Sequence, residues 1–148
     1  MKVVEFLDHR SVVSELNATH KPGVITELSR LIGEAGAVDA AAVEAVLLAR
    51  EKLGSTGIGD GVAIPHGTMS GLKSLTAAFG RSSSGIDYDS SDGQPAHLFF
   101  VLLTPSSAVG LQALARVSRL MRRSSFKDRL LKAADAAAIY EILREGDE

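Results

Sequence analysis

The residues best able to do chemistry lie in one stretch, Gly54-Ser-Thr-Gly-Ile-Gly-Asp-Gly-Val-Ala-Ile-Pro-His-Gly67. Gly54, Gly57, Gly59 and Gly61 let the backbone take positive φ and come close to another group. Val62-Ala63-Ile64 then runs apolar into Pro65, which has no amide hydrogen and pushes Ile64 towards an extended conformation. The segment therefore reads as a strand end that delivers His66 between Pro65 and Gly67. An imidazole held there is placed to meet another molecule; the plainer reading is an ordinary turn histidine. Several other chemistries are excluded. A nucleotide-binding P-loop needs G-x-x-x-x-G-K-[ST], and no lysine stands in the required place. A dinucleotide fingerprint sits between a strand and a helix, whereas Gly57-Ile-Gly59-Asp-Gly61 follows a helix and enters a strand. The four histidines (His9, His20, His66, His97) are widely separated and form no recognisable metal-ligand pair. Ser55 and Asp60 lie near His66 in sequence, but no G-x-S-x-G elbow accompanies them.

The stretch resembles the phosphorylation site of enzyme IIA domains of the bacterial phosphotransferase system, in the mannitol/fructose class. Within that class it is most similar to the nitrogen-regulatory IIA proteins. The residues that carry the likeness are Arg50-Glu51-Lys52-Leu53, the run Gly54 to Gly61, and Ala63-Ile64-Pro65-His66-Gly67. A weaker match continues through Asp92-Gly93-Gln94-Pro95, the strand ending at Pro105, and Leu111-Gln-Ala-Leu-Ala115. The resemblance covers nearly the whole chain. It implies a phosphohistidine relay in which His66 carries the phosphoryl group, accepted from a small histidine phosphocarrier of the HPr type.

The implied chemistry needs few parts. Neutral imidazole is a good nucleophile near pH 7. One ring nitrogen attacks phosphorus in line while the other keeps its proton on an acceptor that fixes the tautomer. The protein then has mainly to position the group and stabilise the equatorial oxygens. Arg50, by its motif position, is the candidate cation; its plainer role is to offset the helix C-terminal dipole. Ser55, Thr56 and Gly57 offer hydroxyl or amide hydrogen bonds to the phosphate, or else serve the turn itself. Asp60 and Asp92 read as turn residues, and His97, opening an apolar strand, as a structural histidine. Members of the family usually carry a second active-site histidine just before the Leu-x-x-Leu-Ala pattern. Gly110 occupies that position, and no histidine follows His97. Gly110→Ala is expected to be neutral or slightly stabilising if residue 110 is helical.

No cofactor or metal is called for. The family further implies a regulatory output through phosphorylation-dependent binding to other proteins, such as transporters or sensor kinases. Two alternatives stay open: a binding module with vestigial phosphorylation, and the sugar-specific IIA component of a permease.

The elements that must position these residues follow from pattern. A chain of 148 residues is expected to form one domain, 1–148, with a single packed core. It has no cysteine, so disulfides and thiolate chemistry are excluded. A net charge of −2 gives no general drive towards nucleic acid or anionic membrane. No apolar run approaches the ~18 residues of a membrane span and no signal-peptide pattern opens the chain, so a cytoplasmic protein is expected. Residues 1–17 alternate weakly and suit a short strand or helical turn. Lys21-Pro22-Gly23 opens a helix that buries Val24, Ile25, Leu28, Leu31 and Ile32 and stops near Gly36. Asp39 caps a second, with Val43, Val46, Leu47 and Leu48 inward. Leu75–Arg81 reads as a strand, 82–85 as a polar connection, and 86–89 as a short edge strand. His97–Leu103 reads as a central strand covered on both faces. A helix from about Gly110 is expected to bury Leu111, Leu114, Ala115, Ser118 and Met121. Two further helices begin near Ser124 and Asp135. The class is α/β, with a mixed central sheet of about five strands flanked by helices; the resemblance implies the mannitol-type IIA fold.

Overall fold

A computed structural model describes residues 2–36 and 38–146. After a 3-10 turn at Val3–Glu5 come β1 (Leu7–Val13), α1 (Lys21–Ala35) and α2 (Ala40–Glu51). Three short strands follow: β2 (Gly57–Gly59), β3 (Val62–Ala63) and β4 (His66–Thr68). Two longer strands, β5 (Thr76–Ile86) and β6 (Ala96–Thr104), precede α3 (Ser107–Met121), α4 (Ser124–Lys132) and α5 (Ala136–Glu145).

The sheet is built around β6, whose residues from Leu98 to Thr104 are all buried. Side chains alternate across a strand. Leu98, Phe100 and Leu102 therefore enter the core beneath α3, α4 and α5, with Val117, Leu130 and Leu143. Phe99, Val101 and Leu103 enter the opposite core, beneath α1 and α2, with Leu28 and Leu47. Burial on both faces explains why β6 lacks the polar alternation of a half-exposed strand.

The strands run β1-β5-β6-β3-β2, and β4 also pairs with β6. β5 is antiparallel to β6, while β1 is parallel to β5 and β3 to β6. Six strands fill five lanes, because β3 and β4 share one. Val62 pairs with Leu98 and Ala63 with Phe99; His66 then pairs with Leu102 and Thr68 with Thr104, in unbroken register. Only Ile64-Pro65 interrupts the line. Pro65 has no N–H to donate, yet its carbonyl accepts from the Leu102 amide at 2.9 Å. His66 therefore opens a second strand segment rather than closing the first. The mixed sheet flanked by helices agrees with the expected fold class.

Three local expectations are corrected. The polar run 82–85 is not a connection but the continuation of β5, which pairs as far as Ile86↔Ala96 across a register shift. Its serines find partners there: the Ser83 amide and hydroxyl donate to Glu15, and the Gly85 amide to the Ser82 hydroxyl at 3.2 Å. Residues 86–89 consequently form no separate edge strand. In α3 the buried stripe is Ala113, Val117, Leu120 and Met121, while Leu111 is 70% exposed. Of the expected residues Met121 is buried and Leu114 packs partly against the same core, whereas Leu111 and Ala115 are exposed; the helix starts before Gly110 because Ser106 caps it, its hydroxyl accepting from the Val109 amide. The remaining helix boundaries follow their signals, Asp39 and Asp135 capping α2 and α5 and Gly36 ending α1. Among the described residues no helix is long and apolar enough to cross a membrane.

Candidate functional site

The imidazole of His66 is partly exposed, and its Nδ1 lies 2.8 Å from the carbonyl oxygen of Ile64. A carbonyl only accepts, so Nδ1 carries the ring hydrogen and the lone pair sits on Nε2. That carbonyl belongs to the residue before the proline and lies on the side of the lane that faces Thr56, whose amide donates to Glu51 and so leaves the oxygen to the ring. The tautomer thus follows from Ile64-Pro65-His66, in which the histidine two residues on takes up the Ile64 oxygen.

Around this ring the backbone is held tightly. The Ile64 amide donates to the Thr56 carbonyl at 3.0 Å, tying the lane to the start of the glycine stretch. Between them the chain reverses at Gly59-Asp60-Gly61, all three at positive φ (89°, 55° and 78°). Asp92 pins that reversal through its carboxylate, which accepts from the Asp60 amide at 2.9 Å and the Gln94 amide at 3.1 Å. These bonds hold the Asp92 carboxyl below its usual range, the Asp60 amide contributing most. A side chain on Gly67 would collide with Val46 of α2, so glycine there lets α2 lie against β4.

Arg50 follows Val46 by one helical turn, which puts it on the flank of α2 that meets β4. Its Nη1 donates to the Gly54 carbonyl at 2.9 Å, closing the C-terminus of α2, and it makes no hydrogen bond to His66. The hydroxyls of Ser55 and Thr56 are engaged within the segment. Ser55 donates to the Tyr88 carbonyl at 2.6 Å and receives the Gly57 amide at 3.0 Å. Thr56 donates its amide (3.1 Å) and its hydroxyl to the carboxylate of Glu51. The chemistry expected of Ser55, Thr56 and Gly57 is therefore taken up in holding the loop. Gly110 lies in the first turn of α3, where an added Cβ would stand 2.7 Å from Cγ2 of buried Thr104. Thr104 pairs with Thr68, two residues beyond His66.

Pattern reading passed over Glu51. Its side chain is 6% exposed and paired with Lys21 Nζ at 2.9 Å. Tyr88, fully buried, donates its hydroxyl to the same carboxylate at 3.3 Å, and Lys21 lies over its ring. Burial, and then the charge of Glu51, push the Tyr88 phenol well above its usual range. Only the Arg-Glu pair closing α2 hinted at this, since Lys21 and Tyr88 stand far away in sequence. His97 gives its Nδ1 hydrogen to the Ser82 carbonyl at 3.0 Å, in line with a structural role. It lines a cleft with Asp60, Asp92, Lys127 and Asp128 that does not include His66. No three metal-binding side chains gather among the described residues.

The family model described as "Phosphoenolpyruvate-dependent sugar phosphotransferase system, EIIA 2" matches residues 5–146. The nitrogen regulatory protein of Bradyrhizobium diazoefficiens is 39% identical over 145 residues, 97% of this chain and 95% of that protein. The fructose-specific EIIABC component of Bacillus subtilis is 38% identical over 151 residues, and this chain spans 24% of its length. Among solved structures, the nitrogen regulatory protein IIA-Ntr of Neisseria meningitidis superposes with a TM-score of 0.86 at 35% identity. That superposition covers 94% of this chain and 97% of the other.

Proposed function

The chain belongs to the EIIA 2 family of the phosphoenolpyruvate-dependent sugar phosphotransferase system, and we propose that Nε2 of His66 is its phosphoryl acceptor. The observation that carries this reading is the 2.8 Å contact between His66 Nδ1 and the Ile64 carbonyl, which leaves the lone pair on Nε2 of a partly exposed ring. The donor is a phosphohistidine on a small HPr-type carrier protein. Nε2 attacks phosphorus in line and the N–P bond of the donor breaks. Its electron pair returns to the donor imidazole, while the hydrogen stays on His66 Nδ1, donated to the Ile64 carbonyl throughout. Arg50 exchanges its bond to Gly54 for the phosphoryl oxygens, a move its long side chain on the α2 flank allows. Ser55, Thr56 and Gly57 keep the loop in shape, since their polar groups are already committed to it.

The regulatory reading is favoured over sugar uptake by the superposition on a nitrogen regulatory IIA protein. Output then comes from binding to regulated proteins such as transporters or sensor kinases, in the cytoplasm, by one IIA-like unit spanning 1–148. The sugar-specific reading retains one specific support, the 38% identity to a fructose-specific component. Incubation with phosphorylated HPr-type carrier tests the proposal. Acid-labile, base-stable phosphate is expected on the wild type and none on His66→Ala; equal incorporation in the two contradicts it.

A further inference from the structure

Beneath the glycine stretch lies a buried charged group that phosphoryl transfer does not itself use. The Glu51 carboxylate receives Lys21, the Tyr88 hydroxyl, and both the amide and the hydroxyl of Thr56. A buried ion pair is a poor way to gain stability, because desolvation offsets most of the attraction. The geometry here gives it another use. With its amide and hydroxyl both on Glu51, Thr56 has its peptide orientation fixed. Its carbonyl accepts the Ile64 amide at 3.0 Å. The Ile64 carbonyl in turn accepts the His66 Nδ1 hydrogen at 2.8 Å. Every member before the imidazole is buried: the Glu51 side chain is 6% exposed, Thr56 4%, and Ile64 not at all. The carbonyls of this lane that face β6 are those of Gly61 and Pro65, so Ile64 faces Thr56; because the Thr56 amide is taken by Glu51, the Ile64 carbonyl is left to the imidazole.

We infer that Glu51 is a positioning residue for His66, acting through Thr56 and the Ile64 peptide to hold the imidazole in one tautomer with Nε2 free. This rests on His66 being the phosphoryl acceptor. The set of partners also explains why a carboxylate is needed: it takes four donors at once and keeps a negative charge out of contact with the incoming phosphate. An amide at position 51 cannot replace it, since its NH2 end would face donors.

The test compares wild type with Glu51→Gln, Thr56→Val and Thr56→Ser, each confirmed as folded. Two readouts are taken. Long-range ¹H–¹⁵N spectra at about pH 8.5, where free imidazole is neutral, report which ring nitrogen of His66 carries hydrogen. Steady-state transfer from phosphorylated HPr-type carrier gives kcat and KM. Wild type and Thr56→Ser are expected to show hydrogen on Nδ1 alone. Glu51→Gln and Thr56→Val are expected to show averaged tautomers, with kcat lower by about tenfold and KM within about twofold, because buried residues do not touch the carrier. Thr56→Val keeps the volume of the side chain and serves if Glu51→Gln does not fold. Wild-type ring spectra and kcat in the folded variants overturn the inference. Absence of phosphate on wild-type His66 overturns instead the functional reading beneath it, and the ring spectra then still decide the tie to Glu51.

Discussion

Two histidines flank the central strand at opposite ends. His97 lies near the start of β6, and His66 pairs with Leu102 near its end. Each gives its Nδ1 hydrogen to a backbone carbonyl, Ser82 at 3.0 Å and Ile64 at 2.8 Å, so both rings leave Nε2 free. A fixed tautomer alone therefore does not make a phosphoryl acceptor. The surroundings separate the two. His97 faces a cleft carrying the carboxylates of Asp60, Asp92 and Asp128, and Lys127 there is bound to the Asp60 carbonyl at 3.2 Å. An incoming phosphate dianion meets repulsion at that end. At the other end Arg50 lies along the flank of α2, and Glu51, whose side chain is buried, is matched by Lys21, which also reaches Asp89 at 3.8 Å. Under the proposed function, charge, with backbone geometry as its precondition, is what separates the two rings.

The largest effect that bears on this contrast is loss of the acceptor. His66→Ala is expected to abolish phosphate incorporation and leave the fold intact, since the ring is partly exposed. His97→Ala should incorporate phosphate at the wild-type rate. A mass map of labelled peptides from both variants checks this, and label moving to His97 breaks the contrast.

Next in size is the cation. Arg50→Ala should slow transfer about ten- to hundredfold, the loss of one or two charge-assisted hydrogen bonds in the transition state. Arg50→Lys should recover part of it, keeping the charge without the planar fork. Stopped-flow transfer rates distinguish this from a purely helix-closing role, in which the melting temperature falls and the rate holds.

Gly110 gives a smaller effect, of opposite sign to the sequence expectation. An added methyl meets Thr104 Cγ2 at 2.7 Å, and Thr104 cannot turn freely because its hydroxyl donates to the Ser106 carbonyl at 2.5 Å. Gly110→Ala should therefore destabilise by about 1–3 kcal/mol, the usual cost of overpacking. Chemical denaturation measures it; unchanged or raised stability means that α3 shifts to make room.

Glycine 110 illustrates how the sequence was legible and where it stopped being so. Local signals were readable: the caps at Asp39 and Asp135, the stop at Gly36, the apolar run of β6, and the strand break at Pro65. Contacts between distant segments were not. Helical propensity favours alanine at 110, but Thr104 lies against it from another element. In α3 Leu111 and Ala113 are both apolar, and it is the core beneath the helix that takes Ala113 and leaves Leu111 exposed. Ser82–Gly85 reads as a loop by composition and continues β5 because Glu15 satisfies its polar groups. From sequence Glu51 has no role beyond the motif; Lys21, Thr56 and Tyr88, distant in sequence or hidden in the loop, are what make it a buried carboxylate with four donors. His66 itself was legible because its neighbours in sequence do the positioning.

The smallest effect concerns the reversal at the His97 end. Asp92 has a folded carboxyl value below its unfolded one, so its contribution is present above about pH 4 and is lost as pH falls through the lower folded value. Asp92→Asn should therefore flatten the fall in melting temperature between about pH 5 and pH 3, with phosphate acceptance by His66 unchanged. A parallel fall in both proteins removes Asp92 from the account of that turn.

The central claim is that Ile64 holds the Nδ1 hydrogen of His66 and so directs the phosphoryl group to Nε2. Nitrogen–phosphorus coupling in the ¹⁵N-labelled phosphoprotein tests it most directly. Coupling is expected on Nε2 of His66 with the hydrogen still on Nδ1; coupling on Nδ1, or on a ring nitrogen of His97, contradicts it.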